Sequence, residues 1–217
     1  MRRLIVLGLG GLAAVILALL IVAQFVLPGI AAQHIRDQLS KSGRVLSVKV
    51  SAFPAIELLW HQADSVVVRL GRYHTNPGHL GNELARASDT GSLDASAQEL
   101  ATGLVTLRHA TLFKRGDELT GSATITEANL RSAVPFVSNV QPVASGNGQL
   151  TLRGTALGIT ADATLRAVAG KLVVSPDVPL LSIVRVTVFS NPHLFVQGVA
   201  AHAVWGGFAL SGRARLR

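Results

Sequence analysis

Polar and apolar positions alternate along most of this chain, and the pattern reads as a series of short strands. In RVLSVKVSAF, Leu46, Val48, Val50 and Ala52 face one way and Ser47, Lys49 and Ser51 the other, which predicts a strand buried on one face. The alternation breaks at Pro54 within SAFPAIELLW (51–60). Proline cannot donate to a ladder, so pairing stops there. Ile56, Leu59 and Trp60 then fall on one side of a single helical turn, with Glu57 at its margin. DSVVVRLGRY resumes a strand. GSLDASAQ, GLVTLRHATLFK and ELTGSATIT follow, the last two joined as a hairpin through Arg115-Gly116-Asp117. QLTLRGTAL, GITADATLRAVA and KLVVS are strands separated by Gly-containing turns, after the turn Ser145-Gly146-Asn147-Gly148. SIVRVTVFS, HLFVQGVAAHAV and FALSGRARLR close the chain, the last two around Trp205-Gly206-Gly207. Hairpin-length connections predict mostly antiparallel pairing.

Three segments carry the helical period instead. Leu27, Ala31, Ile35 and Leu39 recur every four residues, predicting an amphipathic helix over 28–41, with Asp37 and Lys41 paired at i,i+4 and Gly43 as its stop. Asn76-Pro77 reads as a cap and first turn of a short helix to about Ala87, with Leu80 and Leu84 as its apolar pair. Thr126 caps EANLRSAV, which Pro135 ends.

The N-terminus is of another kind. Leu4 to Ala23 is free of charge, and about 20 apolar residues cross a bilayer as a helix. Arg2 and Arg3 precede it, and the next basic residue apart from His34 is Arg36, so the positive-inside bias leaves the N-terminus in the cytoplasm and the rest outside. A cleaved signal peptide is the rival, but its apolar core is about 7–15 residues. The expected organisation is therefore an uncleaved membrane anchor over 1–27 and an extracytoplasmic domain over 28–217, on the periplasmic or cell-wall side.

Charge and composition mainly exclude. The net charge is +8, from sixteen Arg and four Lys against twelve acidic residues, but the basic residues are dispersed and form no nucleic-acid arm. There is no cysteine, hence no disulfide framework. None of the seven histidines shows a zinc spacing, and no nucleophile elbow, phosphate loop or dinucleotide glycine pattern is present. The chain reads as a non-enzyme with no cofactor and no metal. Its strands carry Ser, Thr and Arg on one face and Ala, Val and Leu on the other. Such a sheet against a helix either packs as ordinary core or leaves an apolar groove fit for an acyl chain.

SVKVSAFPAIELLWHQADSVVVR (47–69), with its Phe-Pro turn, Leu-Leu and following Asp, resembles the LmeA-type phospholipid-binding proteins of the actinobacterial cell envelope. GSLDASAQEL (91–100), ITEANLRSAVP (125–135) and NPHLFVQGVAA (191–201) fit as well. One departure is His61, where family members usually carry Gly after the apolar run. The resemblance implies an α+β, strand-dominated fold similar to tubular lipid-binding domains: a long twisted antiparallel sheet curled around the amphipathic helix, preceded by the transmembrane helix. It implies phospholipid or a related envelope lipid as partner, membrane attachment through the N-terminal helix, and a role in envelope lipid or glycolipid assembly. It carries over no catalytic residues. The candidate lipid-contacting residues are Phe53, Ile56, Leu59, Trp60, Ile35, Leu39, Phe136 and Phe189. The competing function is a non-catalytic scaffold domain that meets a protein partner, for instance by strand addition.

Overall fold

A computed structural model describes residues 22–24, 26–53, 55, 58, 62–76, 87–103, 105–133, 137–156, 159–177 and 185–217. A helix, α1 (26–40), is followed by β1 (Gly43–Ser51), β2 (Ala63–Thr75), β3 (Thr90–Thr102), β4 (Val105–Arg115) and β5 (Glu118–Thr126). A short helix, α2 (Glu127–Ala133), leads to β6 (Val137–Gly146), β7 (Gln149–Ala156), β8 (Ile159–Val168), β9 (Lys171–Pro176) and β10 (Val186–Phe189). The chain ends with β11 (Leu194–Val204) and β12 (Gly207–Leu216).

The strand-dominated α+β class holds, but the single antiparallel sheet does not. The strands form two sheets, a seven-stranded one in the order β1-β2-β3-β4-β5-β12-β11 and a five-stranded one in the order β10-β9-β8-β7-β6. Within the larger sheet β2 and β3 run parallel. The reason lies in the connection: residues 76–89 are a dozen or more residues long, enough for a crossover, whereas hairpin turns force antiparallel neighbours. The short helix expected after Asn76 falls on residues 77–86, outside the described residues.

The alternating residues sort as their period requires. Val50, Val66 and Val68 form one buried cluster, and Ala31, Ala32, Ile35 and Leu39 of α1 pack onto it. Leu119, Leu194 and Leu216 form a second, covered by Phe189 from the smaller sheet. Leu93 packs against both clusters, so one apolar face runs across the larger sheet. α1 lies alongside β1 in the opposite direction. At one end the Gln24 side chain donates to the Ala52 carbonyl (3.1 Å) and accepts from the Ala55 N–H (2.8 Å). At the other, the Ser42 carbonyl accepts from the His74 N–H (2.9 Å).

Helical residues occur at 22–24 and from 26 on, as expected of an amphipathic helix that continues from the segment before it. The expected helix changes in one detail. Asp37 accepts from Gln33, four residues back (2.9 Å), in place of the expected pairing with Lys41. Gly43 opens β1 because a Cβ there would lie 2.7 Å from the Tyr73 Cα, so the strands approach too closely for any side chain.

The smaller sheet meets the larger through its hairpin tips. Asn147-Gly148 and Ala169-Gly170 have positive φ at both central positions, the two-residue turn whose twist suits a hairpin. The Gly148 carbonyl accepts from the Val199 N–H (3.1 Å), the Gly170 carbonyl accepts from the Val196 N–H (2.9 Å), and Ser145 Oγ accepts from the Ala201 N–H (3.1 Å). These bonds cap the outer edge of β11, which would otherwise present unpaired backbone groups to another chain.

Candidate functional site

Strand register arranges the apolar face in rows. Val50, Val66, Leu93, Lys114, Leu119, Ala214 and Val196 lie opposite one another across all seven strands. The next row holds Val48, Val68, Ala95 and Leu112, and the next Leu70, Ala97 and Ala110. One step further the character changes, and Arg72, Glu99 and Arg108 form a charged row. From Val66 to Arg72 is six residues, or about 20 Å at ~3.3 Å per residue. That exceeds the ~15 Å of hydrocarbon in one bilayer leaflet, so the face is long enough to cover an acyl chain.

The charged row opens into a cleft of about 720 Å³ lined by Gly43, Arg44, Leu46, Gly71, Arg72, His74, Gln98, Glu99, Arg108 and His109. Glu99 pairs with Arg72 at 3.3 Å. Among the described residues Arg44 and Arg108 have no ion-pair partner. The stem of Arg44 lies over Gly71, where an added Cβ would sit 3.5 Å from it. The ladder is irregular on both flanks. β1 and β2 slip between Gly43 and Ser47, and β4 and β5 slip between Arg108 and Thr111. His109, inside the second slip, has φ of 49°, a conformation few non-glycine residues adopt. Bulges bend a strand and re-aim its side chains, here toward the cleft.

At the other end of the face, Lys114 is 1% exposed. Its ammonium donates to the Ser88 carbonyl (3.1 Å) and to the Thr90 carbonyl. Burial pushes its pKa below the ordinary lysine value, against the opposing pull of Asp117 and Asp89. On the opposite face of the sheet, Arg69 grips Asp94 with two parallel bonds of 2.8 and 2.7 Å, tying β2 to β3. The hydrogen bonds from that guanidinium hold the Asp94 carboxyl below its usual range. Among the described residues no group of three or more His, Cys, Asp or Glu could hold a metal ion.

The expected lipid-contacting residues divide. Ile35 and Leu39 sit on the Val50 cluster and Phe189 on the Leu119 cluster, the two margins of one apolar face. Phe53 is 79% exposed, with its N–H bonded to Asp64 Oδ2 at 2.7 Å. Ile56, Leu59, Trp60 and Phe136, like His61, lie outside the described residues. In the turn after Pro54, Ala55 is buried and Leu58 packs on the Val50 cluster. The expected set omits Arg44, Arg72, Arg108 and Glu99. Their signal is parity: Arg72 continues the series Val66, Val68, Leu70, Glu99 continues Leu93, Ala95, Ala97, and Arg108 continues Leu112, Ala110. A charge that takes up the parity of an apolar face marks where that face ends.

A family model for LmeA-like phospholipid-binding proteins matches residues 20–187, more than three quarters of the chain. The chain belongs to the LmeA-like phospholipid-binding family. No curated protein and no solved structure matches it. The matched span contains α1, the Phe-Pro segment and every lining residue of the cleft. It also takes in GSLDASAQEL and ITEANLRSAVP. NPHLFVQGVAA (191–201), the fourth stretch that resembles LmeA-type proteins, falls beyond its end.

Proposed function

We propose that this LmeA-like protein holds phospholipid, or a related envelope lipid, against the apolar face of the seven-stranded sheet. The acyl chains lie between the α1 margin and the Phe189 margin, over the small side chains Ala95, Ala97 and Ala110. The observation that carries this reading is the run of apolar rows that ends in a cleft lined by arginines. Each buried CH₂ contributes about 0.8 kcal/mol, so a partly covered chain binds usefully without any chemical step.

The same proposal has residues 1–27 as an uncleaved anchor and residues 28–217 as a domain on the extracytoplasmic side, serving envelope lipid or glycolipid assembly. Its support is the uncharged run Leu4–Ala23 behind Arg2 and Arg3. Residues 4–21 lie outside the described residues, and among the described residues no helix is long and apolar enough to cross a membrane.

The test uses the full chain purified in detergent. Extraction should yield co-purified phospholipid, and a fluorescent phospholipid should transfer to the protein from donor vesicles. Absence of both would sink the reading, whereas stable capture of a protein partner with no lipid would favour the scaffold alternative.

A further inference from the structure

Arg44, Arg72, Arg108 and Glu99 come from four different strands and converge on one cleft at the end of the apolar face. Three guanidiniums face one carboxylate, so these four side chains give the cleft excess positive charge. Two of the guanidiniums, on Arg44 and Arg108, have no ion-pair partner among the described residues. The planar guanidinium fork matches phosphate oxygens in two-point fashion, and hydrogen bonds between charged groups are roughly twice as strong as neutral ones. The two ladder slips and the left-handed His109 hold these side chains on an otherwise regular sheet. Backbone outliers of this kind persist where the surroundings over-determine them, typically at binding sites.

We infer that the cleft binds the phosphate of an amphiphile whose chain lies on the adjoining apolar rows. This rests on the lipid-binding reading and adds the place of the head group, with Arg44, Arg72 and Arg108 as the residues that meet its phosphate. Position argues for a lipid phosphate over a free one. The row Leu70–Ala97–Ala110 is two residues along the strands from Arg72–Glu99–Arg108, about 7 Å away. An ester-linked phosphate and the first methylenes of its chain fit that spacing together. Glu99 competes with the ligand for Arg72, which sets a ceiling on affinity and gives the assignment a sign test.

The experiment offers the full chain, in detergent, an equimolar mixture of phosphatidic acid and diacylglycerol with identical chains. Native mass spectrometry reads the ratio retained. Wild type should retain the phosphate lipid about ten-fold over diacylglycerol, the size of one charge-assisted hydrogen bond. Arg72→Gln/Arg108→Gln should bring the ratio close to one, and Glu99→Gln should raise it. Because both lipids compete on the same molecules, a misfolded fraction cancels. A wild-type ratio near one, an unchanged ratio in the double variant, or a lower ratio in Glu99→Gln would overturn the head-group assignment. Retention of neither lipid would instead overturn the lipid-binding reading beneath it. A third arm titrates inorganic phosphate. Saturable binding of inorganic phosphate without lipid discrimination would make the cleft a free-anion site and also overturn the assignment.

Discussion

Lys114→Met tests how the apolar face tolerates a buried charge at one of its ends. The side chain sits in a seven-residue row that is otherwise apolar, and methionine would preserve most of its volume. The substitution leaves the Ser88 and Thr90 carbonyls without their donor. An unsatisfied buried polar group costs about 1–3 kcal/mol, which falls on the Thr90 carbonyl, because Ser88 is exposed and its carbonyl can turn to water. Against this, removing the ammonium relieves its own desolvation penalty, which is several kcal/mol for a buried ion. Two hydrogen bonds from a charged donor contribute about 3–6 kcal/mol, so the bonds should win narrowly, by about 1 kcal/mol, lowering Tm by roughly 2–4 °C in a chain of this length. The pH dependence adds a second readout. The folded-state pKa of Lys114 lies below its unfolded value, because burial disfavours the ammonium. The penalty is therefore fully present below the folded pKa. Between that point and about 10.4 the unfolded chain binds more protons, so wild-type stability should rise with pH. The variant should lose that part of the rise. Circular-dichroism melts at neutral and alkaline pH measure both effects. A variant as stable as wild type at pH 7 would refute the reasoning by showing that desolvation offsets the carbonyl bonds, and an unchanged alkaline slope would refute it by showing that burial does not depress the Lys114 pKa.

Two further substitutions probe the frame of the larger sheet. Asp94→Asn removes the two-point pairing with Arg69 that ties β2 to β3. Both side chains are more than a third exposed, so the loss should be about 0.5–1 kcal/mol. The Asp94 pKa is depressed in the folded protein, so this contribution is present above about pH 3.9 and lost as pH falls through the folded value. Urea melts should therefore separate the two proteins at pH 7 and converge in strong acid, and a gap that persists in acid would contradict the assignment. Gly198→Ala places a Cβ 2.8 Å from the Gly148 Cα, at the contact between β11 and the β6–β7 turn. Overpacking there should cost about 1–3 kcal/mol and strip hydrogen-exchange protection from the Val199 amide, which an unchanged exchange rate would disprove.

Local features of this fold are legible in the sequence, and long-range ones are not. The strand from Arg44, the hairpin around Gly116 and the cap of α2, where Thr126 Oγ1 accepts from the Asn129 N–H at 3.2 Å, all follow from nearest neighbours. The parallel pairing of β2 and β3 does not, because a crossover of this length constrains direction far less than a two-residue turn. The division into two sheets is hidden for a related reason. β11 reads as one more alternating strand, and nothing local shows that its outer edge bonds to the tips of two distant hairpins. Asn147-Gly148 announces its turn, but Ala169 at φ 50° carries no such signal. The cleft needs four strands in register and two slips to assemble. The alternation in GLVTLRHATLFK shows a continuous strand with no mark of the slip at His109.

The apolar face is ambiguous when judged by hydrophobicity alone, because ordinary core looks the same. Its two ends differ. The Lys114 end is closed: its charge is buried and its donors are met by backbone carbonyls. The arginine end is open, with Arg44 and Arg108 unpaired among the described residues and exposed. A phosphate amphiphile on this face would therefore take one orientation, head group toward Arg72. That orientation also has a direction within the molecule. Gln24 fixes the start of α1 beside Ala52 and Ala55, at the Lys114 end, and Ser42 fixes its far end beside His74 in the cleft. From residue 26 to residue 40 α1 rises about 21 Å, comparable with the length of the apolar face. Under the anchored proposal the chain leaves the membrane at the Lys114 end, and the arginines stand at the end that points away from it.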